Sequence, residues 1–222
     1  LMLMSVLEYI SYHNADHLIA LSPGILDGIA KRGIDKKNIT LIPNGCDLSI
    51  FGSESDVYQI PYTKKSDFIA LFSGTHGVAN GLKSVIDAAY ELKLRNLSSI
   101  KFVLIGQGKL KNSLINQCKE KELDNVVFLD PVPKKELSKI LHRADIGLQI
   151  LANVPAFYYG TSPNKFFDYI SSGLPVLNNY PGWLAEMINE NNCGLVVPPD
   201  SPVLFADALD YISKNKDILI NM

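Results

Sequence analysis

Residues 155–176 read P-A-F-Y-Y-G-T-S-P-N-K-F-F-D-Y-I-S-S-G-L-P-V. Its Gly, Ser, Pro and Asn residues predict a flexible loop at the start of this stretch. The spacing of apolar residues then predicts a short amphipathic helix over 164–171. Gly173 is expected to stop this helix, and a new apolar strand is expected to begin at Pro175. A loop, a helix and a strand in direct succession indicate one unit of an alternating α/β fold.

The same alternation covers the chain from Asp67 onward. Apolar runs such as F-I-A-L-F (68–72) are continuous, which is typical of strands buried on both faces. The predicted strands cover 68–72, 101–105, 126–129, 146–150, 175–177 and 195–197. The predicted helices cover 82–94, 109–121, 134–141, 164–171, 182–190 and 202–213. This pattern predicts an α/β fold with a doubly wound, mostly parallel sheet.

The region before Asp67 is shorter and more mixed. We predict helices over 1–14 and 24–31, strands over 17–21 and 39–43, and an irregular polar linker over 52–66. The opening L-M-L-M-S-V-L-E-Y-I lacks a basic segment and a cleavage site, so it is not predicted to be a signal peptide. It resembles the inside of a helix, and we therefore expect the chain to be part of a longer protein.

Composition excludes several classes of protein. The 222 residues are 47% hydrophobic and 20% charged, as in ordinary globular proteins. A net charge of -2 gives no electrostatic reason to expect a nucleic acid partner. The three cysteines form no CxxC pair, so we expect reduced thiols in a cytosolic protein rather than a zinc site or disulfides. No apolar run approaches the ~20 residues of a transmembrane helix.

The start of the helix over 164–171 has features of an anion site. Ser162, or the loop just before it, is expected to cap the helix, and Pro163 suits a first-turn position. Free N–H groups at a helix N-terminus attract anions, whereas a cation such as Lys165 is unfavourable there unless an anion compensates it. Asp168 follows one turn later. We interpret the anion as the diphosphate of a sugar nucleotide and Asp168 as the ligand of its ribose. The alternative is a solvated lysine and aspartate on a surface helix.

Three other loops follow predicted strands, at the sheet edge where ligands bind in such folds. The first is S-G-T-H-G-V-A-N-G (73–81), whose glycines allow close approach to a phosphate. His76 within it either donates to a phosphate or sugar or is simply exposed. The second is G-Q-G (106–108), and the third is D-P-V-P (130–133), where backbone groups and Val132 or Pro133 could contact a nucleobase. Plain turns are the alternative for all three loops.

Aromatic residues near the central stretch have two interpretations. Phe157, Tyr158 and Tyr159 either belong to the core or shape a sugar pocket, and Trp183 is open to the same two interpretations.

Four segments together resemble the retaining glycosyltransferases of group 1, which have two Rossmann domains (the GT-B architecture). They are A-D-H-L-I-A-L-S (15–22), I-P-N-G-C-D (42–47) with Phe51, the glycine-rich loop 74–81, and residues 162–176. The last segment falls where the family carries two glutamates eight positions apart. Here Asp168 takes the place of the second glutamate and Gly160 the place of the first.

The resemblance also exposes a difference in charge. The basic pair that usually neutralises the donor diphosphate would fall near His76 and Asn80, neither of which is a fixed cation. Lys165 is the best replacement, and Lys83 is a distant second.

The resemblance implies a division of the chain and a set of site residues. Residues 1–50 would be the tail of an acceptor-side domain, 51–66 a linker, and 67–222 a Rossmann-like domain that binds the nucleotide sugar. Lys165 and Asp168 would act in catalysis, the first stabilising the leaving diphosphate and the second positioning the donor. The donor would be bound by Gly74, Thr75, His76, Gly77, Pro131, Val132, Gly160, Thr161, Ser162, Pro163, Asn164, Lys165 and Asp168.

The implied reaction transfers a hexosyl or N-acetylhexosaminyl group from a UDP-sugar with retention of anomeric configuration. It would need no cofactor and no metal. The string T-S-P-N-K-F-F-D-Y is similar to that of bacterial N-acetyl-L-fucosamine transferases, which implies capsule or O-antigen synthesis. The acceptor would then be lipid-linked or a saccharide, and the protein cytoplasmic with peripheral contact to the inner membrane.

Two other functions stay open at this point. The absent glutamate at Gly160 and the absent basic pair fit a degenerate, non-catalytic nucleotide-binding module. A sugar-nucleotide epimerase of the same architecture is the third hypothesis, although the sequence offers no extra acid/base pair for it.

Overall fold

The computed structural model of the protein describes residues 2–52 and 58–222. Its N-terminal part contains a small parallel sheet of two strands, β1 (Leu18–Ala20) and β2 (Ile39–Leu41). Two helices, α1 (Met2–His13) and α2 (Pro23–Ala30), accompany this sheet. A small core of Ala20, Ile29 and Ile39 holds these elements together.

A six-stranded sheet forms the larger part of the described chain, and every strand pair in it is parallel. Its order is β5-β4-β3-β6-β7-β8, so the order reverses between β3 and β6. In sheets of this kind, a ligand crevice opens beyond the carboxyl ends of the strands at such a reversal. The strands are β3 (Phe68–Ser73), β4 (Ile100–Ile105), β5 (Val126–Leu129), β6 (Ile146–Gln149), β7 (Val176–Asn178) and β8 (Gly194–Val196).

Helices cover both faces of this sheet. They are α3 (Leu48–Phe51), α4 (Lys83–Leu94), α5 (Lys111–Glu120), α6 (Lys134–Arg143), α7 (Pro155–Gly160), α8 (Asn164–Ser171), α9 (Trp183–Glu190), α10 (Pro202–Lys214) and α11 (Asp217–Ile220). Every residue of β3 is buried. Ala70 and Phe72 belong to the core shared with α4 and α10, whereas Ile69 and Leu71 belong to the core shared with α6, α8 and α9. Successive residues of a strand point to opposite faces, so a strand covered on both sides must be apolar throughout.

The predicted doubly wound α/β fold is therefore confirmed, and the boundaries of the predicted elements differ by only a few residues. Gly173 ends α8 as expected, with a positive φ of 66° that favours glycine. The short helices α3, α7 and α11 were not predicted. In particular, the expected flexible loop at the start of the central stretch is wrong, because Pro155–Gly160 is helical. Proline at a first helical position and the packing of Phe157 on the core favour the helix there.

The expected cap of α8 is also wrong. Pro163, not Ser162, occupies the N-cap position, and no side chain caps the helix. The Ser162 hydroxyl instead accepts a hydrogen bond from the backbone N–H of Asn44, at 3.0 Å. The N–H groups of the first turn of α8 therefore stay free of a side-chain cap.

The division of the chain at 1–50, 51–66 and 67–222 stays a prediction, and residues 53–57 of the proposed linker lie outside the described residues. Phe51 and Ile60, which flank those five positions, are both fully buried in the core with α6, α8 and α9. The segment before β3 thus contributes to the core of the large sheet. Within the part of the chain that the structure describes, no helix has the length and apolar character needed to cross a membrane.

Candidate functional site

Two adjoining pockets open at the carboxyl end of β3, one of the two strands between which the order reverses, and together we call them the crevice. Their volumes are about 340 Å³ for the first pocket and about 440 Å³ for the second. Residues 73–75 at the end of β3 and Leu137 of α6 line both pockets. The crevice is therefore continuous along the carboxyl end of β3.

The first pocket lies between loops that follow neighbouring strands. Gly106 and Gln107 after β4 form one wall, and Pro131 and Val132 after β5 form another. The three loops after β3, β4 and β5 thus meet at one site, as their positions at strand ends predicted. Its predominantly apolar walls and exposed backbone groups suit a flat ring, such as a nucleobase, better than a phosphate.

The second pocket contains the start of α8. Pro163, Asn164, Lys165 and Asp168 line it together with Asn80 from the loop after β3. A helix N-terminus without a side-chain cap and with a lysine in its first turn presents N–H groups and positive charge to this space. The arrangement suits an anion.

Lys165 connects α8 to the glycine-rich loop. Its Nζ donates a hydrogen bond of 2.9 Å to Oδ1 of Asn80 and lies 4.6 Å from the centre of the Phe72 ring. Asn80 in turn donates to the backbone oxygen of Thr75 at 2.7 Å. Burial lowers the pKa of Lys165 to about 8, because a desolvated ammonium group is less stable. Among the described residues no carboxylate pairs with Lys165, so a ligand can supply the compensating charge.

Asp168 lies one turn further along the helix and is only 8% exposed. Its carboxylate has no hydrogen-bond partner in residues 2–52 and 58–222, although it lines the second pocket. Burial raises its pKa, and the charge of Lys134 opposes this rise. A buried carboxylate with free acceptor oxygens can accept hydrogen bonds from hydroxyl groups of a ligand.

The position of α8 depends on Tyr169. Its phenol oxygen accepts a hydrogen bond from the backbone N–H of Ser73 at 2.9 Å. Gly147 in β6 makes room for the ring, since a Cβ at that position would lie 2.5 Å from Tyr169 Cδ2. Burial raises the pKa of Tyr169 to about 12, so the phenol stays protonated. This contact fixes α8 against the end of β3, next to residues 73–75, which line the crevice.

His76 contradicts the expectation that its ring binds a ligand. The residue is fully buried. Its ring centre lies 6.1 Å from that of Phe72 and 6.0 Å from that of Phe128. Neither ring nitrogen has a hydrogen-bond partner among the described residues. Burial, with the nearby charge of Lys111, lowers its pKa to about 4, so the ring is neutral. Its backbone N–H donates to Gln107 at 2.9 Å and is also unavailable. The ring of His76 therefore packs in the protein interior, beneath the backbone of its own loop.

Three more predicted residues serve the protein's own structure. Thr161 donates to the backbone oxygen of Phe157 at 2.9 Å and accepts from Trp183 Nε1 at 2.7 Å. Ser162 is held by Asn44. Neither residue lines the crevice, nor does Gly160, which lies in α7. Thr161 and Ser162 thus hold the chain just before α8 and do not line its pocket.

Of the other two predicted glycines, one lines the crevice and the other does not. Gly74 lines both pockets, whereas Gly77 lines neither and starts the short turn of 3₁₀ helix at 78–80. A Cβ at Gly160 would meet no atom within 4 Å, so the absent family carboxylate leaves open space.

Lys134 is a crevice residue that sequence reasoning missed. It is the first residue of α6, whose N-terminus also has no side-chain cap, and it lines the second pocket. The rule that singled out Lys165, a lysine in the first turn of a helix that follows a strand-end loop, applies to Lys134 as well. Two helix N-termini with lysines therefore face one crevice.

Comparison with known families gives one extended match. The model of the family described as "Glycosyl transferases group 1" matches residues 58–222. Among curated relatives, the putative colanic acid biosynthesis glycosyl transferase WcaI of Escherichia coli (strain K12) is 26% identical over 156 residues, which cover 67% of this chain and 37% of the relative. The probable glycosyltransferase WbjE of Pseudomonas aeruginosa is 23% identical over 207 residues, or 90% of this chain and 50% of the relative. The chain thus spans half or less of the length of these relatives.

Solved structures share the fold. HepE of Anabaena in complex with UDP-glucose superposes with a TM-score of 0.72 at 15% identity, over 93% of this chain and 57% of that one. WaaG, a glycosyltransferase involved in lipopolysaccharide biosynthesis, gives 0.72 at 20% identity, over 91% of this chain and 55% of that one. TarM of S. aureus, in a complex that contains UDP, gives 0.72 at 17% identity, over 96% and 40%.

Proposed function

The chain belongs to the group 1 glycosyltransferases, and we propose that its crevice binds a UDP-sugar as the glycosyl donor. The observation that carries this proposal is the unpaired ammonium of Lys165 at the uncapped N-terminus of α8, one turn before the buried carboxylate of Asp168. A diphosphate linked to a ribose supplies an anion that can pair with Lys165. It also supplies hydroxyl groups that can donate hydrogen bonds to Asp168. The UDP-sugar named in the HepE complex supports the choice of ligand class.

Each part of the donor has a counterpart in the crevice. The uracil ring would enter the first pocket, between Gly106 and Val132. The ribose hydroxyls would bond to Asp168, and the diphosphate would lie against Lys165, the start of α8 and the N–H group of Thr75. Among the described residues the N–H of Thr75 has no hydrogen-bond partner, in contrast to those of Gly74 and His76.

This arrangement suits a reaction whose leaving group is strongly anionic. As the bond from the sugar to the diphosphate breaks, negative charge would grow on the leaving oxygen, next to the ammonium group of Lys165 and the dipole of α8. Asp168 holds the ribose and so orients the donor without acting as a nucleophile. We propose that transfer proceeds with retention of configuration, of a hexosyl or N-acetylhexosaminyl group, and without a metal ion or other cofactor.

The acceptor and the cellular role are proposed from relatives. Colanic acid biosynthesis and lipopolysaccharide biosynthesis appear in the names of WcaI and WaaG. We propose that the whole protein transfers sugar to a lipid-linked or saccharide acceptor in bacterial surface-polysaccharide synthesis, of capsule or O-antigen type. The proposed subgroup resembles N-acetyl-L-fucosamine transferases, and the proposed location is the cytoplasm, in peripheral contact with the inner membrane.

Titration calorimetry with UDP tests the donor site. We expect the 222-residue chain to bind UDP, and we expect Lys165→Met and Asp168→Asn each to weaken binding by about fivefold or more, because each removes one charge-dependent contact. Lys83→Met is the matched control, since Lys83 is exposed, pairs with Asp87 at 2.5 Å and does not line the crevice. It should leave the affinity unchanged within about twofold.

Unchanged affinity in both crevice variants would remove the proposed site, and loss of affinity in Lys83→Met would move it towards α4. A thermal-shift comparison of UDP-, GDP- and dTDP-sugars identifies the nucleotide, because a ligand that binds only the folded state raises the melting temperature. A turnover assay of the full-length protein with acceptor then separates a transferase from a non-catalytic nucleotide-binding module.

A further inference from the structure

We propose that Lys111 is a positioning residue that sets the width of the first pocket and thereby makes it selective for a pyrimidine base. This inference rests on the proposed function, because it assumes that the first pocket receives the base of the donor. Lys111 itself does not line the pocket. It acts through the two loops that form opposite walls.

The ammonium group of Lys111 is fully used inside the protein. The residue is 8% exposed, and its Nζ donates to the backbone oxygen of Gly106 at 2.9 Å, to that of Leu129 at 3.1 Å and to Asp130 Oδ1 at 2.8 Å. A lysine has three N–H donors, so this set satisfies all of them. Such a contact geometry leaves the ammonium little freedom to move.

The three acceptors come from two different loops. Gly106 follows β4, whereas Leu129 and Asp130 end β5 and begin the next loop. The last paired residues of the two strands are Ile105 and Leu129, and the backbone N–H of Gly106 donates to the oxygen of Leu129 at 3.1 Å. Beyond that bond, the side chain of Lys111 extends the connection to Asp130. Gln107 adds a second bridge, since its side chain also donates to Asp130 Oδ1, at 2.9 Å. Lys111 therefore continues the connection between β4 and β5 into the pocket walls.

The other side of the Gly106 wall is fixed by the backbone. Gly106 has a φ of 148°, and a Cβ there would lie 1.9 Å from the carbonyl oxygen of Gly74. This wall cannot move towards the loop after β3. Beyond the backbone bond of Gly106 to Leu129, the distance between Gly106 and the wall at residues 131–132 therefore depends on the bonds that Lys111 and Gln107 make to Asp130.

Burying an ammonium group is costly, and a buried charge network often fixes geometry better than it adds stability. An apolar side chain could fill the same volume without that cost. Lys111 instead holds two loops at a fixed separation, and a fixed slot discriminates between a single pyrimidine ring and the larger purine ring system.

The test compares ligands that differ in the base. Calorimetry on the 222-residue chain measures the affinities of UDP, GDP and inorganic pyrophosphate for the wild type and for Lys111→Met, which keeps the unbranched side chain as far as Cε and removes the ammonium group. We expect UDP binding to weaken about tenfold and the preference for UDP over GDP to fall by about fivefold or more, because the walls are no longer held. Pyrophosphate, which has no base, should bind within about twofold of the wild type.

Lys109→Met is the matched control. Lys109 is exposed, lies two positions away and carries the same charge, so its loss reports the electrostatic effect alone. Hydrogen exchange of the ligand-free protein gives a second measurement. Amides of residues 106–110 and of Leu129, Asp130 and Val132 should exchange faster in Lys111→Met than in Lys109→Met, while those of α4 should not change.

Three results would overturn the inference. Affinities for UDP and pyrophosphate that fall in parallel would show a general loss of structure, and unchanged UDP affinity and selectivity would show that the walls do not depend on Lys111. Unchanged exchange in both loops would show that the bridge does not restrain them. The proposed function fails in a different way, namely if the wild type itself binds neither UDP nor pyrophosphate.

Discussion

Lys165 is the residue on which the proposed chemistry of the crevice depends. It combines a charge that the proposed ligand would require with an environment that disfavours charge, since burial lowers its pKa to about 8. Its contacts with Asn80 and the Phe72 ring hold it in the pocket without neutralising it. Both features are those of a cation placed to receive an anion.

The first prediction concerns the pH dependence of UDP binding. Below about pH 8 Lys165 is an ammonium group, and an anionic ligand stabilises this form and raises its pKa. Affinity should be highest below that pH and should fall at higher pH, by at most about tenfold per unit for one proton. Calorimetry between about pH 7 and about pH 9 measures this decline.

Lys165→Arg is the control for this titration, because a guanidinium group stays charged throughout the range. Its UDP affinity should be flat where the wild type declines. An equal decline in both proteins would assign the titration to the ligand or to another residue, and no decline in the wild type would contradict the role of Lys165.

His76 and Lys134 show the limits of reasoning about single residues. A histidine in a glycine-rich loop has the right chemistry for a phosphate, but here its ring packs between Phe72 and Phe128. Lys134 has the same local sequence pattern as Lys165. It becomes a candidate ligand-binding residue only in the folded protein, where α6 and α8 line the same pocket. Which way a side chain points depends on neighbours that are distant in sequence.

Among the elements, α8 matters most, and its position is set by contacts along its length. Phe166 and Tyr169 bury the inner face of α8 in the core, and the Tyr169 phenol accepts a hydrogen bond from the backbone of Ser73. Asn44 makes two hydrogen bonds, of 3.0 and 2.5 Å, to Ser162, the residue before the N-cap. The N-terminus of α8 is thus fixed relative to β3. A preorganised helix terminus lowers the cost of binding an anion.

The second prediction concerns Tyr169→Phe. The substitution keeps the ring but leaves the buried N–H of Ser73 without an acceptor, which should cost about 1–3 kcal/mol in the free energy of unfolding. UDP affinity should also fall, because α8 loses its bond to the end of β3. Urea denaturation and calorimetry measure the two effects.

Tyr211→Phe on α10 is the matched control, since this ring is exposed and its hydroxyl has no partner among the described residues. It should change stability by less than about 0.5 kcal/mol and leave binding unchanged. If Tyr169→Phe likewise changes neither the free energy of unfolding nor the UDP affinity, the phenol does not anchor α8.

For the whole molecule, the core of the large sheet extends upstream of the family match at residues 58–222. Phe51 is fully buried beside α6 and α8, and Ser138 of α6 donates a hydrogen bond of 2.7 Å to the backbone oxygen of Ile50. Helix α3 is therefore part of the same structural unit as the large sheet. The N-terminal part also touches the crevice side of this unit through Asn44 and Ser162.

The third prediction is that Phe51→Ala destabilises the large unit by about 3–5 kcal/mol, the usual cost of removing a buried phenylalanine side chain. Denaturation followed by the fluorescence of Trp183, the single tryptophan, measures this change in the large unit itself. Leu48→Ala, on the exposed side of the same short helix, is the control and should change stability by less than about 0.5 kcal/mol. A cost below about 1 kcal/mol for Phe51→Ala would place α3 outside the cooperative unit.

Local patterns in the sequence determined the fold class and the outline of the crevice. Continuous apolar runs predicted strands covered on both faces, and the positions of the loops 73–81, 105–108 and 130–133 at strand ends predicted that they would line one crevice. The pattern around Lys165 and Asp168 singled out α8, whose first turns line the second pocket. These features depend on periodicity and on neighbours within a few residues, which a sequence displays directly.

Only the tertiary structure decided how the remaining residues are used. The hydroxyl of Ser162 is taken by Asn44, 118 positions away in sequence, Lys111 bridges two loops, and Phe51 packs under α6 and α8. Each outcome follows from competition among partners that the fold brings together, because a buried polar group takes whichever partner satisfies it and a buried ring takes whichever space remains. Such partners cannot be read from a local pattern, and this is why the sequence indicated which loops form the crevice but not that His76 and Ser162 lie outside its lining.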